Sequence, residues 1–404
     1  MDAFAPCENG QQQREDNSGE DRSAARCSWF GVALLGGLGL VAAADYAAAL
    51  GGTEILLKQQ YLWLAVGAAA ALGVSSTPCG YRRGMPRWLP WPFFVFGIFL
   101  LAVLPCIGTE ISGHHLRIRA GGVSINATLW GSLLLLPGLA RLLARRFSPG
   151  ALLALTGTLL FVNLVLVATY QRSALFCFDG TMILLLLSAG ISQGRTLGSA
   201  PFRAWAFFAL AAVVSCFALM PLVDLVCSQP SRFVQLLAAW QPQGDLKRVE
   251  NFHAWTVHRN FLDGGLLGSQ EPFTVSRCVY GKAAISDFVL QMPGFRFGLP
   301  ATAVLLAFSS LLAFLWIRHA LRTPGPEERL WRLGLALFLI LHMVGSTART
   351  TGLIPFMPPT AFPFLAYGGN ITLWSFVCLG LLLRPAYPEH ARTASEPVSR
   401  EEIT

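Results

Sequence analysis

"DFVLQMPGFRFGLPATAVLLAFSSLLAFLWI" runs from Asp287 to Ile317, and Asp287 and Arg296 are its only charged residues. An α-helix crosses the hydrocarbon core of a bilayer with about 20 apolar residues. This run is therefore a membrane span long enough to begin outside the bilayer. Its first residue poses a second question, because in "KAAISDFVLQM" (Lys282–Met292) an aspartate stands at the mouth of an apolar helix. One reading is a helix N-cap, with Ser286 or Asp287 bonding the first free backbone N–H groups. The other is a catalytic base at a membrane surface.

Comparable apolar runs recur along the chain. Of its 404 residues, 54% are hydrophobic and only 13% charged, with a mean hydropathy of +0.53; soluble domains carry about a quarter charged residues. Ten spans are expected, at 29–50, 60–77, 91–107, 126–144, 150–170, 180–193, 204–226, 287–317, 333–351 and 368–384. The fold class is an all-α polytopic membrane protein of about ten transmembrane helices. Residues 1–28 read as a disordered polar tail, residues 29–385 as the transmembrane domain, and 386–404 as a second polar tail. The first 28 residues are not a signal peptide, since no apolar core precedes a small-residue cleavage site.

The formal charge of +8 does not indicate a nucleic-acid partner, because it is concentrated in alternate loops. Arg82, Arg83 and Arg87 follow the second span, and Arg141, Arg145 and Arg146 close the fourth. Arg195 and Arg203 precede the seventh; Arg318, Arg322, Arg329 and Arg332 separate the eighth from the ninth. The positive-inside rule makes these loops cytoplasmic, and both termini with them. The loops 108–125, 171–180 and 352–367 then lie outside, as does the long segment 227–286 between the seventh and eighth spans. Asp287 falls at the outer membrane surface.

A connection as long as 227–286 invites a functional reading. The part before Gly264 reads as an amphipathic surface helix with turns, with Trp240, Trp255, Phe261 and Phe273 along the headgroup layer. Gly264, Gly265 and Gly268 permit tight turns and close approach. "GLIPFMPPTAFPFLAYGGN" (Gly352–Asn370) is stiff and non-helical; such backbone at membrane depth is tolerated only when buried in protein or lining a wet cavity. We read it as shaping a pocket, with Gly368 and Gly369 at its end. Asp45, Arg172, Asp179, Asp224, Arg296 and Arg349 fall within or at the ends of spans, where ionisable groups snorkel, pair or face a polar cavity. Arg296 and Arg349 are placed to bind an anionic phosphate. Of nine cysteines, Cys227 and Cys278 share the outer segment and are candidates for a disulfide. The seven histidines show no zinc-ligand spacing.

The order of these features resembles the SEDS family of FtsW, RodA and SpoVE. The motifs carrying the resemblance are "W-x-P-x-G" at Trp240, the glycine-rich turn at Gly264, "SDF" at Ser286–Phe288 and "GLIP…PF-x-x-YGG" from Gly352. Weaker echoes are "KQQYLW" (Lys58–Trp63), "GGVSI" (Gly121–Ile125) and "DGT" (Asp179–Thr181). The polar N-terminal tail leans the likeness toward FtsW. The resemblance implies a ten-helix bundle in the bacterial cytoplasmic membrane that polymerises lipid II into peptidoglycan strands at the outer face, in cell division or cell-shape maintenance. It also implies a class B penicillin-binding protein as transpeptidase partner, alongside other division or elongation membrane proteins.

On the same implication, Asp287 matches the aspartate of the family's "TDF" motif and is the catalytic residue. A carboxylate would take the proton of a sugar 4-hydroxyl as it attacks an anomeric carbon, with inversion. The departing lipid pyrophosphate needs cationic stabilisation from arginine, lysine or a divalent metal ion; Lys282, Arg296, Arg349, Gly368 and Gly369 form the expected substrate-binding set, with no protein metal site and no cofactor otherwise required. The sequence departs from the family in three places. The stretch aligned with "PSE-x-x-K" reads "ATLWGS" from Ala127, "GEELG" has become "GFRFG" (Gly294–Gly298), and "SYGGS" has become "AYGGN" (Ala366–Asn370). Two other readings stay open at this point: a flippase for lipid-linked sugars, and a non-catalytic scaffold of the division machinery.

Overall fold

The structure, a computed structural model, describes residues 6–51, 54–76, 88–111, 114–120, 123–144, 149–169, 171–192, 249–274, 284–354 and 360–385. The described helices are α1 (Pro6–Ala49), α2 (Glu54–Ser76), α3 (Pro90–Ile107), α4 (Ala127–Ala144), α5 (Pro149–Ala168), α6 (Arg172–Ser192), α7 (Val249–Gly264), α8 (Gln291–Leu321), α9 (Pro326–Thr350) and α10 (Gly369–Leu382). Seven of them contain stretches long and apolar enough to cross a membrane, and part of α5 and all of α10 are shorter apolar helices. Nine of the ten expected spans thus coincide with helices. The span expected at 204–226 lies outside the described residues, as do Asp224, Cys227 and Cys278.

Helices α4 and α9 form the centre of the bundle, with 78% and 72% of their apolar windows buried. The outer helices instead expose large apolar side chains, including Leu62 and Val66 on α2, Val95 and Phe99 on α3, and Val304 and Phe314 on α8. Helices apolar on every side are what a lipid solvent requires.

Two expected boundaries move. The tail expected to be disordered to residue 28 is helical from Pro6. Its run of Gln, Arg, Glu and Asp contains good helix formers, and propagation from an existing helix avoids the cost of nucleation. The span expected to begin at 180 begins at Arg172 instead. Asp179, read as part of an outer loop, is buried within α6; it faces protein, so hydropathy alone misjudges its depth.

The connection expected to be loop at 108–125 holds a three-stranded antiparallel sheet, β1 (Thr109–Ile111), β2 (His114–Ala120) and β3 (Val123–Ile125), in the order β1-β2-β3. Ala120 pairs with Val123, Arg119 with Ser124 and Ile118 with Ile125. The two residues separating β2 from β3 in sequence are Gly121 and Gly122, a composition favoured in two-residue hairpins. Asn126 then caps α4, its Oδ1 accepting from the Thr128 amide at 3.2 Å and the Leu129 amide at 3.4 Å.

Helix α8 is broken near its start, where Gly298 has φ 83° and ψ 178°. The interrupted backbone groups are paired elsewhere. Phe295 O accepts from the Ser269 amide and the Leu299 amide donates to Gly265 O, both at 2.8 Å. The glycine turn after α7 thus stands in for a missing turn of α8, as backbone at membrane depth demands. Close approach leaves no room for side chains there: a Cβ on Gly268 would overlap the Arg296 carbonyl. Phe273, expected among headgroups, is buried edge-on against Phe295 at 5.4 Å.

At the end of the bundle away from Asp287, basic residues are tied into the structure. Arg141 reaches Glu327 at 3.5 Å, joining the end of α4 to the start of α9. Arg332, 1% exposed, pairs with Glu328 at 2.6 Å and lies 3.4 Å from Leu382 O at the end of α10.

Candidate functional site at the Asp287 turn

Asp287 lies in a turn that precedes α8, and it does not cap the helix. The N-cap position is Leu290, with helical φ −65° and ψ −20° and no side-chain cap. The turn is wound tightly, with the Gln291 amide on Phe288 O and the Met292 amide on Val289 O, each at 3.1 Å. Ala284, Ile285, Phe288, Val289 and Leu290 are buried, while Ser286 and Asp287 remain half-buried. Apolar anchors on both sides fix the carboxyl at the edge of the protein.

Three neighbours hold the turn from behind. The Tyr367 amide donates to Ile285 O at 2.8 Å. Buried Gln291 donates to Ala284 O at 3.2 Å and accepts from Asn260 of α7 at 2.9 Å.

The electrostatics come from other elements. Protein packed around Asp287 pushes its pKa from 3.8 up to about 6, while a hydrogen bond from Ser286 and the charges of Arg349 and Arg117 pull it back. Arg349 sits in the last turn of α9, its guanidinium 5.7 Å from the centroid of the Phe288 ring. Arg117 stands exposed on β2. A carboxyl raised to about 6 in the field of two cations suits proton transfer next to developing negative charge.

The expected site residues divide. Asp287 and Arg349 come together. Arg296 turns to α1, its Nε 4.0 Å from Asp45 Oδ2, and is not among the charges acting on Asp287. Thus two ionisable residues singled out separately in the sequence face one another. Lys282 lies outside the described residues. Arg117 was missed; the alternation of arginine with apolar residues in "HLRIRAGGVSI" (His115 to Ile125) was the hairpin signal that pointed to it.

Gly368 and Gly369 serve the docking of the loop. Gly368 has φ 146°, and a Cβ on Gly369 would overlap the Trp63 indole. Gln60 of α2, fully buried, donates to Ala366 O and accepts from the Gly368 amide, both at 3.4 Å, and Gln59 accepts from the Tyr367 hydroxyl at 2.6 Å. The "KQQYLW", "SDF" and "AYGGN" motifs are therefore physical neighbours. The second half of the proline-rich loop is buried, although Leu353 at its start is exposed: Phe362, Phe364 and Leu365 are core residues, with Phe364 edge-on to Phe376 at 5.2 Å.

Replacing Gln60 by leucine leaves the buried Ala366 carbonyl and the half-buried Gly368 amide unpaired. We expect a loss of about 2 kcal/mol of stability, read as a lower midpoint of thermal unfolding in detergent.

The whole chain and its architecture have relatives. Residues 25–390 match the FtsW/RodA/SpoVE family model, described as "Cell cycle protein". A protein of Halorhodospira halophila named probable peptidoglycan glycosyltransferase FtsW is 29% identical over 388 residues, covering 92% of this chain and 91% of that relative. A protein of the same name from Synechocystis is 24% identical over 382 residues, covering 91% and 90%. Among solved structures, the rod shape determining protein RodA of Thermus thermophilus superposes with a TM-score of 0.57 at 20% identity, covering 88% of this chain and 94% of that one. A chain solved in work on the coordination of polymerization and crosslinking by a peptidoglycan synthase complex reaches 0.67, also at 20% identity, covering 92% and 98%. With the family model spanning nearly the full length, and the bundle and the Asp287 turn in place, this chain belongs to the FtsW/RodA/SpoVE family of cell cycle proteins.

Proposed function

We propose that the chain is a peptidoglycan glycosyltransferase of the cytoplasmic membrane that joins lipid II units into glycan strands at the outer face, with Asp287 as general base. The observation that carries this reading is the Asp287 carboxyl, raised to about 6 and standing in the field of Arg349 and Arg117. Asp287 takes the proton from the 4-hydroxyl of the acceptor sugar. The freed oxygen attacks the anomeric carbon of the donor from the face opposite the pyrophosphate, so the configuration inverts as the lipid pyrophosphate departs. Arg349 and Arg117 offset the charge that accumulates on the leaving group. Relatives named peptidoglycan glycosyltransferase support the reaction class. The neighbour from a synthase complex of polymerization and crosslinking supports a class B penicillin-binding protein as partner.

The test is polymerisation of purified lipid II by the chain with such a partner, followed by gel separation of the glycan products. Absence of polymer from the wild-type complex under conditions where a related polymerase is active overturns the reading. The pH dependence is a further check. A base must be unprotonated, so kcat/KM falls tenfold per pH unit below about pH 6, the value to which Asp287 is raised. An acid limb centred instead near pH 4 contradicts the assignment.

A further inference from the structure

The strongest unexplained feature outside the Asp287 turn is the side chain of Asn370, at the start of α10. Its Nδ2 donates to Ser124 O at 2.8 Å, and its Oδ1 accepts from the Asn126 amide at 3.1 Å. These two backbone groups sit at the end of β3 and the junction with α4. In the sheet order β1-β2-β3, β3 is an edge strand, and an edge strand presents unpaired N–H and C=O groups. The carboxamide of Asn370 supplies both a donor and an acceptor, as a neighbouring strand's peptide would.

The consequence reaches further along the sheet. Ser124 pairs with Arg119, and Ile125 with Ile118, so fixing β3 fixes the β2 segment that carries Arg117. From β1, Thr109 holds the middle of β2, its hydroxyl donating to Arg117 O at 2.9 Å. Asn126 is itself committed to α4, its side chain accepting from the Thr128 hydroxyl at 2.7 Å. Asn370 also directly follows the "YGG" turn, which the Tyr367 amide ties to Ile285 beside Asp287.

We propose that Asn370 is a positioning residue: its carboxamide clamps the edge of the β-hairpin to the Tyr367–Gly369 turn and thereby fixes the strand that carries Arg117 relative to the Asp287 turn. The inference deepens the reading of Asp287 as general base and rests on it for its catalytic meaning. The groups bearing on Asp287 are Ser286 in its own turn, Arg349 from α9 and Arg117 from β2, with Tyr367 of the adjoining loop bonded to the turn through its backbone. Arg349 is independent of the clamp, so only the Arg117 contribution is lost when Asn370 is removed. A serine or alanine at this position cannot span both backbone groups.

The test reads Asp287 directly. A hydrophobic carbodiimide labels protonated carboxyls, so the pH dependence of labelling at the Asp287 peptide, followed by mass spectrometry on the purified full chain, gives its titration without any polymerase assay. Asn370→Ala and Arg117→Ala are each expected to raise the labelling midpoint by about half a pH unit. The double variant is expected to shift no further, since the two residues act through one path. An unchanged midpoint in Asn370→Ala, an unchanged midpoint in Arg117→Ala, or additive shifts in the double variant would each overturn the proposal. Should Asn370→Ala fail to fold, Asn370→Ser, which can serve only one of the two backbone groups, is read against the same outcomes. Failure of the glycosyltransferase reading shows separately, as polymerisation that survives loss of the Asp287 carboxylate.

Discussion

Asp287→Asn stops glycan polymerisation while leaving the protein folded. The substitution keeps the shape of the side chain and removes only its ability to accept a proton. General-base catalysis typically contributes about 10²–10⁴-fold, and the loss is expected in kcat, since asparagine still occupies the same volume beside Arg349. The linkage of charge to stability supplies an internal control. The folded-state pKa of Asp287 is raised above 3.8 to about 6, so the folded protein binds the proton more tightly than the unfolded chain does. Ionisation at this position therefore costs stability above about pH 6, and the cost is relieved as pH falls from there toward 4. At pH 7.5 the asparagine variant should unfold at a temperature equal to or above that of the wild type, with the difference shrinking in acid. Inactive and equally stable is the expected pair of results. An asparagine variant that polymerises lipid II at the wild-type rate removes Asp287 from the chemistry, and one that unfolds early makes the turn's charge structural.

Gly298→Ala breaks the junction between α7 and α8. With φ 83° and ψ 178°, Gly298 occupies backbone space that is essentially closed to residues with a Cβ, and the added carbon would also crowd Leu266 O at 2.5 Å and the Gly268 amide nitrogen at 2.8 Å. Neither neighbour can yield easily, because both are backbone of the turn whose flanking residues pair with Phe295 and Leu299. Strain and displacement together should cost about 2–4 kcal/mol, measured as a lowered unfolding midpoint in detergent. The same change should depress polymerisation, because the first turns of α8 carry the Asp287 turn on their N-terminal side. Substitution at Gly325, which has φ 88° but open space around its Cβ position, isolates the cost of the dihedral alone and should be milder. Equal effects at the two glycines would show that backbone strain, and not the interlocked turns, sets the loss.

Nine spans were legible because insertion in a bilayer is a local property: about 20 apolar residues cross it whatever their neighbours are. Asp287 stood out as a carboxyl at the mouth of a long apolar run. The hairpin of β2 and β3 was encoded by alternation and a glycine pair, yet it was masked by its position in a short connection between spans. Arg296 shows the limit most clearly. Its charge at the mouth of a span suits a phosphate ligand, but spacing along the chain did not show that Asp45 of α1 stands 4.0 Å away.

Hydropathy and residue order alone establish that this chain lives in a membrane, where nine of its spans fall, and which acidic residue stands at the mouth of a span. Which cations act on that carboxyl follows from packing, because Arg349 and Arg117 come from elements far apart in the chain. Charge–charge energies depend on separations of a few ångströms in a medium of low polarisability, and those separations are set by packing, on which spacing along the chain is silent.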